Sequence, residues 1–417
     1  MPRRPGYAAA GQVEPETLFE RAVGARSLVF PRPRASITKG PKFHWFGYYD
    51  KRQFDPTGRY VLGMEVDFEH RSPRPEDRIR LGMIDLQDND RWIPLAETSA
   101  WNWQQGCMLQ WLPGSDREVI YNDRQGDRYV SVILDVRSGR RRTFPAPIYA
   151  LSPDGRWAVT TDFRRLAHTR PGYGYNGIPD PNRDVPAPED AGIWRVDLRT
   201  GQTRLIISIA QIARTPSPPP HPQLDWTGAT HWFNHLLVSP DGQRFIFLHR
   251  WKGGAAGNRF FTRMFTADPD GKNLHLVDGF GGVSHFIWRD ARHILSWANR
   301  PPLGGKFYLF EDQSDRVEPV GPDVMTRDGH CSYLPGNRWI LNDTYPDKER
   351  QQHLYLYDTA TGRRVPLATF YSPPEYAGEW RCDLHPRFSP DGRFVTVDSA
   401  HEGGRQIYLV DLRPVIG

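Results

Sequence analysis

Apolar and polar residues alternate in short segments along most of the chain, and each of these segments closes on an acidic residue. Seven such segments occur, at 81–86, 132–136, 193–198, 263–268, 307–312, 354–359 and 407–412. Alternation with a period of two is typical of a β-strand that buries one face. Several segments run directly into a glycine turn, as in RSGR, RTGQ and ATGR. The pattern predicts seven strands at equivalent positions of a repeated unit.

A tight turn precedes each of these strands. Ser-Pro-Asp-Gly is found at 152–155, 239–242 and 389–392, where proline fixes φ and Asp-Gly supplies the reversal. Looser versions of the turn lie at 55–60, 112–119, 289–294 and 334–339. Two independent signals that each occur seven times predict seven four-stranded units. Because one small sheet cannot bury both faces alone, we expect an all-β, seven-bladed β-propeller of antiparallel blades.

The ends of the chain are expected to meet. The seventh unit ends soon after its third strand, so its fourth strand is expected from the N-terminal segment within 26–42, which would close the ring. We therefore divide the chain into an N-terminal segment, 1–43, with a short helix expected at 14–24, and a propeller at 44–417. A β-sandwich followed by a second domain is the alternative, but it does not explain a period that continues to the C terminus.

Composition narrows the functional classes. The chain has 417 residues, with 38% hydrophobic residues, 38 glycines and 38 prolines, which is typical of a large soluble protein rich in turns. Its net charge is only +5 and its arginines are dispersed, so a nucleic-acid partner has little support. Three cysteines in separate segments argue against a disulfide scaffold. No apolar leader or membrane span is visible, so we expect a cytoplasmic protein without a membrane partner if the N terminus is native.

Histidines recur at one position of the repeat. Four residues before the turn, the last four units carry histidine, whereas the first three carry Lys51, Met108 and Ile148. The histidines are His235, His285, His330 and His385. One such histidine is more often a packing residue, but four in register are expected to converge on the central channel. The connections between second and third strands should reach the same face of the propeller.

One of those connections is unusually long. It runs from 163 to about 190 in the third unit and begins with the sequence DFRRLAHTRPGYGY. Loops of this length inside a compact fold are usually functional or disordered. Its proline-rich end is expected to be ordered and extended rather than helical. A second proline-rich insert, 217–232, precedes the fourth unit, and the two inserts are expected to meet above the channel.

The residue types on this face suit a sugar that carries a carboxylate. Arginine forks bind carboxylates bidentately, and aromatic rings stack on sugars. β-Elimination from a uronate requires a group that neutralises the carboxylate, a base such as Tyr or His, and a proton for the leaving oxygen. No G-x-S-x-G element, P-loop or H-E-x-x-H motif is found, and the acidic residues are too scattered to nominate a glycosidase pair.

Six segments together resemble the seven-bladed propeller polysaccharide lyases, which include the oligogalacturonate, ulvan and rhamnose–glucuronate lyases. They are HWFGYYDK (44–51), WNWQQGCMLQW (101–111), RPGYGY (170–175), HWFNH (231–235), GHCSY (329–333) and DLHPRFSPDG (383–392). The resemblance implies cleavage of a uronate-containing oligo- or polysaccharide by β-elimination, with Tyr or His as base and acid. It also implies an arginine, or a divalent metal held by His and Gln, that faces the carboxylate.

The resemblance and the predicted face together nominate three sets of residues. The catalytic candidates are Tyr173, Tyr175, His168, His235 and Arg164. The substrate-binding candidates are Gln104, Gln105, Arg124, Arg165, Arg170, His231, His249, Arg250 and His285. The candidate ligands of a divalent metal (zinc, or manganese or calcium) are His330, Cys331, His385 and His401. Since adjacent strand residues point to opposite sides, Cys331 can join His330 only where the backbone is irregular, and otherwise it is a buried filler residue.

Two other functions remain open. The Ser-Pro-Asp-Gly turns also resemble the TolB-type repeats, so a non-catalytic glycan-binding or assembly propeller is the main alternative. A propeller severed from a peptidase is disfavoured because no hydrolase domain remains.

Overall fold

The structure is a computed structural model of the chain and describes residues 36–222 and 224–416. Within these residues, 27 strands form seven antiparallel sheets, six of four strands and one of three. Neighbours within every sheet are also neighbours along the chain, so each sheet is a simple meander. The predicted seven-bladed β-propeller is therefore confirmed.

The first three blades contain twelve strands and one helix. Blade 1 comprises β1 (Phe43–Trp45), β2 (Tyr60–Val66), β3 (Ile79–Asp85) and β4 (Arg91–Thr98). Blade 2 comprises β5 (Gln110–Trp111), β6 (Glu118–Gln125), β7 (Arg128–Asp135) and β8 (Arg141–Phe144). Blade 3 comprises β9 (Ala150–Leu151), β10 (Trp157–Thr161), helix α1 (Phe163–Thr169), β11 (Gly192–Asp197) and β12 (Thr203–Ser208).

The last four blades contain fifteen strands. Helix α2 (Ile209–Arg214) leads to blade 4, which comprises β13 (Thr230–Val238), β14 (Phe245–Lys252), β15 (Phe261–Ala267) and β16 (His275–Asp278). Blade 5 comprises β17 (Val283–Trp288), β18 (His293–Arg300), β19 (Gly304–Glu311) and β20 (Val317–Pro319). Blade 6 comprises β21 (Ser332–Tyr333), β22 (Trp339–Asn342), β23 (Gln351–Asp358) and β24 (Arg363–Tyr371). Blade 7 comprises β25 (Arg387–Phe388), β26 (Phe394–Ser399) and β27 (Gln406–Asp411), and the short helix α3 (Arg413–Ile416) follows.

The Ser-Pro-Asp-Gly turn joins the first and second strands of a blade. In blade 3, Ser152 Oγ donates to Asp154 Oδ1 at 2.6 Å, and the Gly155 N–H donates to the Ser152 carbonyl at 3.0 Å. Gly155 has a φ of +68°, a conformation that costs glycine little. The same serine-to-aspartate bond recurs in blades 4 and 7. The turn chemistry therefore explains why this motif marks the repeat.

The acidic residue that closes each third strand has a structural role. Asp85 accepts from Arg59 Nη2 at 2.6 Å and from the Gln87 N–H at 3.0 Å. It thereby links the turn before β2 to the turn after β3. Equivalent arginine–aspartate pairs lie in blades 2 and 6, at Arg117–Asp135 (2.5 Å) and Arg338–Asp358 (2.8 Å). In these blades the acid of the second repeat signal thus forms an ion pair that ties two turns of one blade, whereas Asp197 of blade 3 pairs with Arg199 of the following turn.

The long connection of blade 3 contains a helix that the sequence analysis did not predict. Helix α1 begins after Asp162, whose carboxylate accepts from the Arg164 N–H at 2.9 Å as an N-cap. Phe163 and Leu166 are buried in the core between blades 2, 3 and 4, and each contributes about 2 kcal/mol by burial. The proline-rich part after α1 contains no helix among its described residues. The two inserts meet where the His231 N–H donates to the Pro186 carbonyl at 2.9 Å.

The closing strand remains a prediction. The expected helix at 14–24, and the part of the closing segment before residue 36, lie outside the described residues. No strand is assigned to 36–42, but the Ile37 N–H donates to the Ile407 carbonyl at 2.9 Å and the His44 N–H donates to the Arg405 carbonyl at 2.8 Å. Within 36–222 and 224–416, no helix is both long and apolar enough to cross a membrane.

Candidate active site

The four register-equivalent histidines lie together around Tyr48. All four are buried. The ring centroid of His330 is 4.1 Å from that of His285 and 4.3 Å from that of His385. The Tyr48 ring centroid is 5.0 Å from both His235 and His385. His235 and His285, from the first strands of blades 4 and 5, and His330 and His385, from just before the first strands of blades 6 and 7, therefore build one cluster, which we call the histidine cluster.

Two members of the histidine cluster have strained backbones. His235 has a φ of +50° and His385 a φ of +44°, which is uncommon for residues other than glycine. Each is held by a backbone hydrogen bond to a buried side chain. The His235 N–H donates to Tyr149 Oη at 3.0 Å, and the His385 N–H donates to Asp343 Oδ2 at 3.2 Å. Such strain costs about 1–3 kcal/mol per residue and is concentrated at functional sites.

Three side chains of the site are close enough to hold one metal ion. One ligand atom from each of His330, Asp383 and His385 lies within 4.8 Å of the others, and all three residues are buried. Asp343 accepts from the His330 N–H at 2.6 Å, and His330 Nδ1 lies 3.0 Å from the same carboxylate. This contact orients the His330 ring so that its Nε2 remains for another partner. Neither His330 Nε2 nor His385 Nε2 has a hydrogen-bond partner among the described residues.

The charges around these three residues fit a divalent cation. Burial lowers the pKa of His385, and the nearby positive charges of His330 and Arg387 lower it further, so its ring is neutral and can act as a ligand. Burial also lowers the pKa of His330, but Asp343 and Asp383 raise it by more and the net pKa is raised. The raised pKa means that the carboxylates favour an additional positive charge on His330. A metal ion bound to the ring would supply that charge in place of a proton. Two imidazoles and one carboxylate are ligands that zinc and related divalent metals accept.

Tyr173 is held among arginines next to this cluster. Its hydroxyl accepts from Arg381 Nη2 at 2.7 Å, and the Arg170 guanidinium lies 5.2 Å from its ring centroid. Burial raises the pKa of Tyr173, but Arg381, Arg170 and Arg250 lower it by more, so the net pKa is lowered. Arg381 in turn pairs with Asp383 at 2.7 Å. Tyr173 is therefore a phenol that loses its proton more readily than usual.

Glycines place Tyr173 under helix α1. A Cβ on Gly174 would lie 2.0 Å from Ala167 N and 2.4 Å from Ala167 Cα, so only glycine permits this approach of the loop to the helix. Gly172 has a φ of +94°, which also favours glycine. The alternation of glycine and tyrosine in GYGY thus sets the path of the chain that carries Tyr173 to the site.

A cleft of about 290 Å³ opens beside Tyr173 and His235. Two arginines in its lining lie close to the ring of Phe260. The guanidinium carbon of Arg170 is 4.9 Å from the ring centroid, and that of Arg250 is 5.1 Å from it. Arg170 Nε and Arg250 Nη1 are buried and have no hydrogen-bond partner within the described part of the chain. Burial, together with repulsion from Arg170, lowers the pKa of Arg250 to about 10, so Arg250 remains charged at neutral pH. The cleft thus presents two guanidinium groups with bonding capacity for an anion.

Several predicted residues form this site, and their roles stay predictions. The structure brings together eight of them: Gln105, Arg170, Tyr173, His235, Arg250, His285, His330 and His385. His285 Nδ1 lies 2.9 Å from Asp328 Oδ1, and its Nε2 lies 3.4 Å from Tyr345 Oη. His235 and His285 therefore line the same cleft as Arg170 and Tyr173.

Two predicted metal ligands lie elsewhere. Cys331 is fully buried in a hydrophobic core cluster with Met325 and Tyr333, and it is not in the group of possible ligands that contains His330. Burial raises the pKa of its thiol well above the usual range, so it remains a thiol and a poor ligand. The His401 ring packs 4.5 Å from that of Tyr408, and its Nδ1 lies 3.0 Å from Ser399 Oγ. The expectation that these two residues join His330 and His385 is corrected, and Asp383 takes their place.

Four predicted residues of the insert stabilise the insert itself. Arg165 is fully buried and donates to the carbonyls of His231, Asn182, Val185 and Pro186. His168 Nε2 lies 2.8 Å from Asp180 Oδ2, and Arg164 Nη2 pairs with Asp162 at 2.8 Å. The Tyr175 ring stacks on Phe163 at 4.1 Å, and its hydroxyl accepts from Asn122 Nδ2 at 3.0 Å. The charged and aromatic residues of this stretch are thus mostly used to fold it, and Tyr173 and Arg170 reach the cleft.

The remaining predicted binding residues also lie away from the cleft. His231 and His249 stack on each other inside blade 4, with His231 Nδ1 2.9 Å from His249 Nε2. Arg124 Nη2 donates to the Pro75 carbonyl at 2.5 Å. Gln104 Nε2 donates to the carbonyls of Glu379 and Arg381 at 2.9 and 3.1 Å. Gln104 therefore positions the segment that carries Arg381 without lining the cleft.

The sequence analysis missed Arg381, Asp383 and the tyrosines at 48 and 49. Asp383 lies two residues before His385, a spacing at which a second ligand is often found, and this signal could have identified it. Tyr48 and Tyr49 lie within HWFGYYDK, but the aromatic pair gives no sign of its position at the centre of the ring. Tyr49 Oη donates to the Phe286 carbonyl at 2.7 Å, which ties blade 1 to blade 5 across the channel.

Comparisons with known proteins support the fold. No model of a known protein family matches the chain. Among curated proteins it is 27% identical to the Tol-Pal system protein TolB of Gluconobacter oxydans (strain 621H) over a region covering 31% of this chain, and the match spans only 31% of the length of that relative.

Solved structures with the same propeller include two oligogalacturonate lyases. The enzyme from Vibrio parahaemolyticus has a TM-score of 0.63 and 16% identity, over 90% of this chain and 93% of that chain. An oligogalacturonate lyase in complex with manganese has a TM-score of 0.63 and 15% identity, over 92% and 95% of the two chains. The tricorn protease has a TM-score of 0.52 and 14% identity, over 90% of this chain and 35% of its own. At these identities the likeness shows the fold.

Proposed function

We propose that this protein is a polysaccharide lyase that cleaves a uronic-acid-containing glycan by β-elimination. The observation that carries the proposal is the buried Tyr173 hydroxyl, which Arg381 holds at 2.7 Å and whose pKa the surrounding arginines lower against the effect of burial. The arginines favour the ionised form of Tyr173, and a tyrosine phenolate can act as a general base towards a carbon acid. The cleft beside it presents Arg170 and Arg250 to an anion.

The reaction can be written with Tyr173 as both base and acid. The uronate carboxylate lies between Arg170 and Arg250, whose charges stabilise the negative charge that develops on it as the C5 proton leaves. The Tyr173 phenolate takes that proton, the C4=C5 double bond forms, and the C4–O4 bond breaks. The Tyr173 hydroxyl then gives the same proton to the leaving O4 and returns to the phenolate. No proton is left over after one turnover.

The three candidate metal ligands fit the same chemistry. A divalent metal held by His330, Asp383 and His385 would supply a further positive charge for the carboxylate. Two imidazole ligands favour zinc over calcium, which prefers oxygen ligands, and manganese is worth testing because one oligogalacturonate lyase of similar fold was solved with it. Asp343 holds the His330 ring in place, and Arg381 pairs with Asp383, so the metal ligands and Tyr173 share one network of contacts.

The substrate class follows from the cleft and from the solved structures of similar fold. Paired guanidinium groups suit a carboxylate, and two of the similar structures are oligogalacturonate lyases. Oligogalacturonate is therefore the first substrate to test, with glucuronate-containing glycans beside it.

The test is a direct assay for the unsaturated product. The purified protein is incubated with each glycan, with manganese or zinc added and with a chelator as control. β-Elimination gives a product that absorbs at about 235 nm, and we expect this signal with at least one uronate glycan. A folded protein that binds uronate glycans but produces no absorbance with any of them would favour the non-catalytic, TolB-type propeller instead.

A further inference from the structure

The His235 side chain is held by a relay of two residues from other blades. Gln105 Nε2 lies 3.3 Å from His235 Nδ1, and Tyr149 Oη donates to Gln105 Oε1 at 2.9 Å. The Tyr149 hydroxyl oxygen accepts the His235 N–H at 3.0 Å, and its single hydrogen has two acceptors within reach, Gln105 Oε1 and, at 3.1 Å, Asn234 Oδ1. Because Asn234 Oδ1 already accepts from the His235 N–H at 2.9 Å, we assign this hydrogen to Gln105. All three residues are buried.

This relay determines which nitrogen of the ring carries the proton. With its oxygen turned to the Tyr149 hydroxyl, the Gln105 amide presents N–H to His235, and His235 Nδ1 must accept. Burial and the charge of Arg250 lower the pKa of His235 well below its usual value, so the ring is neutral. Its single N–H is then at Nε2, which lies 3.5 Å from Tyr48 Oη at the wall of the cleft.

We infer that Gln105 and Tyr149 are positioning residues that hold His235 in the Nε2–H tautomer, so that it donates a hydrogen bond to a substrate oxygen and does not serve as the base. The catalytic part of this inference rests on the proposed lyase activity, whereas the tautomer does not. A neutral imidazole that polarises a developing negative charge is an established device in proton abstraction next to a carbonyl.

The assignment fits the proton balance of the proposed reaction. Because His235 Nε2 already carries hydrogen and Nδ1 is occupied by Gln105, neither nitrogen can take the C5 proton. Tyr173, whose ring centroid lies 5.5 Å from that of His235, then carries the proton alone from C5 to O4. His235 contributes by hydrogen bonding to the carboxylate as charge develops, and loss of one such donor typically lowers kcat by about 10²–10³-fold.

The tautomer of His235 can be determined by NMR spectroscopy, without any catalytic turnover. The full-length protein is labelled with [¹⁵N]histidine, and long-range ¹H–¹⁵N correlation spectra show which ring nitrogen is pyridine-like. His235→Gln removes one set of signals and thereby assigns His235. We expect a pyridine-like Nδ1 and a protonated Nε2. A pyridine-like Nε2 in the unmodified protein would overturn the inference, since the Gln105 amide would then be turned the other way.

Substitutions in the relay test the positioning role. In Gln105→Glu the carboxylate accepts from Nδ1, so we expect Nδ1 to become protonated and kcat to fall by about 10²-fold with a smaller change in KM. Gln105→Met keeps the volume without the donor and should give mixed tautomers, as should Tyr149→Phe. If all three variants keep the unmodified His235 spectrum, the relay does not set the tautomer. Absence of lyase activity would refute the proposed function but would leave the spectra as an independent result.

Discussion

The buried pair of histidines in blade 4 should make the fold sensitive to acid. His249 Nδ1 lies 3.2 Å from Arg263 Nη2, which can only donate, so His249 carries hydrogen at Nε2 and donates to His231 Nδ1. Both rings are therefore neutral in the native state. Burial lowers the pKa of His231 to about 4, and the charges of Arg263 and Arg165 contribute to this shift. Burial also lowers the pKa of His249.

The magnitude follows from the difference between the folded and unfolded pKa of His231. The unfolded chain takes up a proton as the pH falls below its ordinary value of 6.5, but the folded chain does so only near 4. The unfolded state is therefore favoured progressively between these values, and the stabilisation is complete above the unfolded pKa. At about pH 5 the loss from His231 alone is about 2 kcal/mol relative to neutral pH, taking about 1.4 kcal/mol for each pKa unit.

Urea unfolding of the protein and of His231→Gln at about pH 7.5 and pH 5 measures this effect. Glutamine can still accept from His249 but does not titrate. We expect the drop in unfolding free energy between the two pH values to be smaller in the variant by about 2 kcal/mol. His70→Asn is the matched control at an exposed histidine whose φ of +60° asparagine tolerates, and its drop should equal that of the unmodified protein. Equal drops in His231→Gln and the unmodified protein would refute the reasoning.

Three further predictions concern the site. Asp343→Asn removes the carboxylate that orients His330, so the affinity for manganese or zinc in calorimetric titration should fall by about 10–100-fold, and an unchanged affinity would contradict the proposed ligand set. Gly174→Ala places a methyl group 2.0 Å from Ala167 N, so lyase turnover should be lost while the far-ultraviolet circular dichroism of the propeller is kept. Arg250→Met removes one guanidinium from the cleft, which should weaken uronate binding by about 10–100-fold, whereas equal binding would exclude Arg250 from the anion site.

The fold could be predicted from the sequence because its signals are local and repeated. The Asp-Gly turn needs only the glycine φ and one serine-to-aspartate bond, as at Ser152, Asp154 and Gly155. In blades 1, 2 and 6 the alternating strand ends on an acid that pairs with an arginine of the preceding turn. Both devices act within one blade, so the sequence of each blade carries them without reference to the rest of the chain.

The site could be predicted only in part because it depends on contacts between blades. Tyr173 and Tyr175 are only two residues apart in the sequence. In the folded insert the Tyr173 hydroxyl contacts Arg381, whereas the Tyr175 ring stacks on Phe163. Helix α1 is too short for its periodicity to be visible in the sequence. The nearness of Asp383 to His330 is a contact between residues far apart along the chain, which the local sequence does not encode. The sequence predicts Cys331 as a ligand, with a buried filler residue as the alternative, and the structure places it in the core.

Tyr173 is proposed to transfer the proton in a β-elimination, so removal of its hydroxyl should stop the reaction. Tyr173→Phe and Tyr175→Phe are compared with the unmodified protein on oligogalacturonate by the absorbance of the product at about 235 nm. The account predicts that Tyr173→Phe abolishes product formation, whereas Tyr175→Phe, which loses only a buried hydrogen bond to Asn122, retains it at a modest cost in stability. Product formation by Tyr173→Phe at the rate of the unmodified protein would contradict the account.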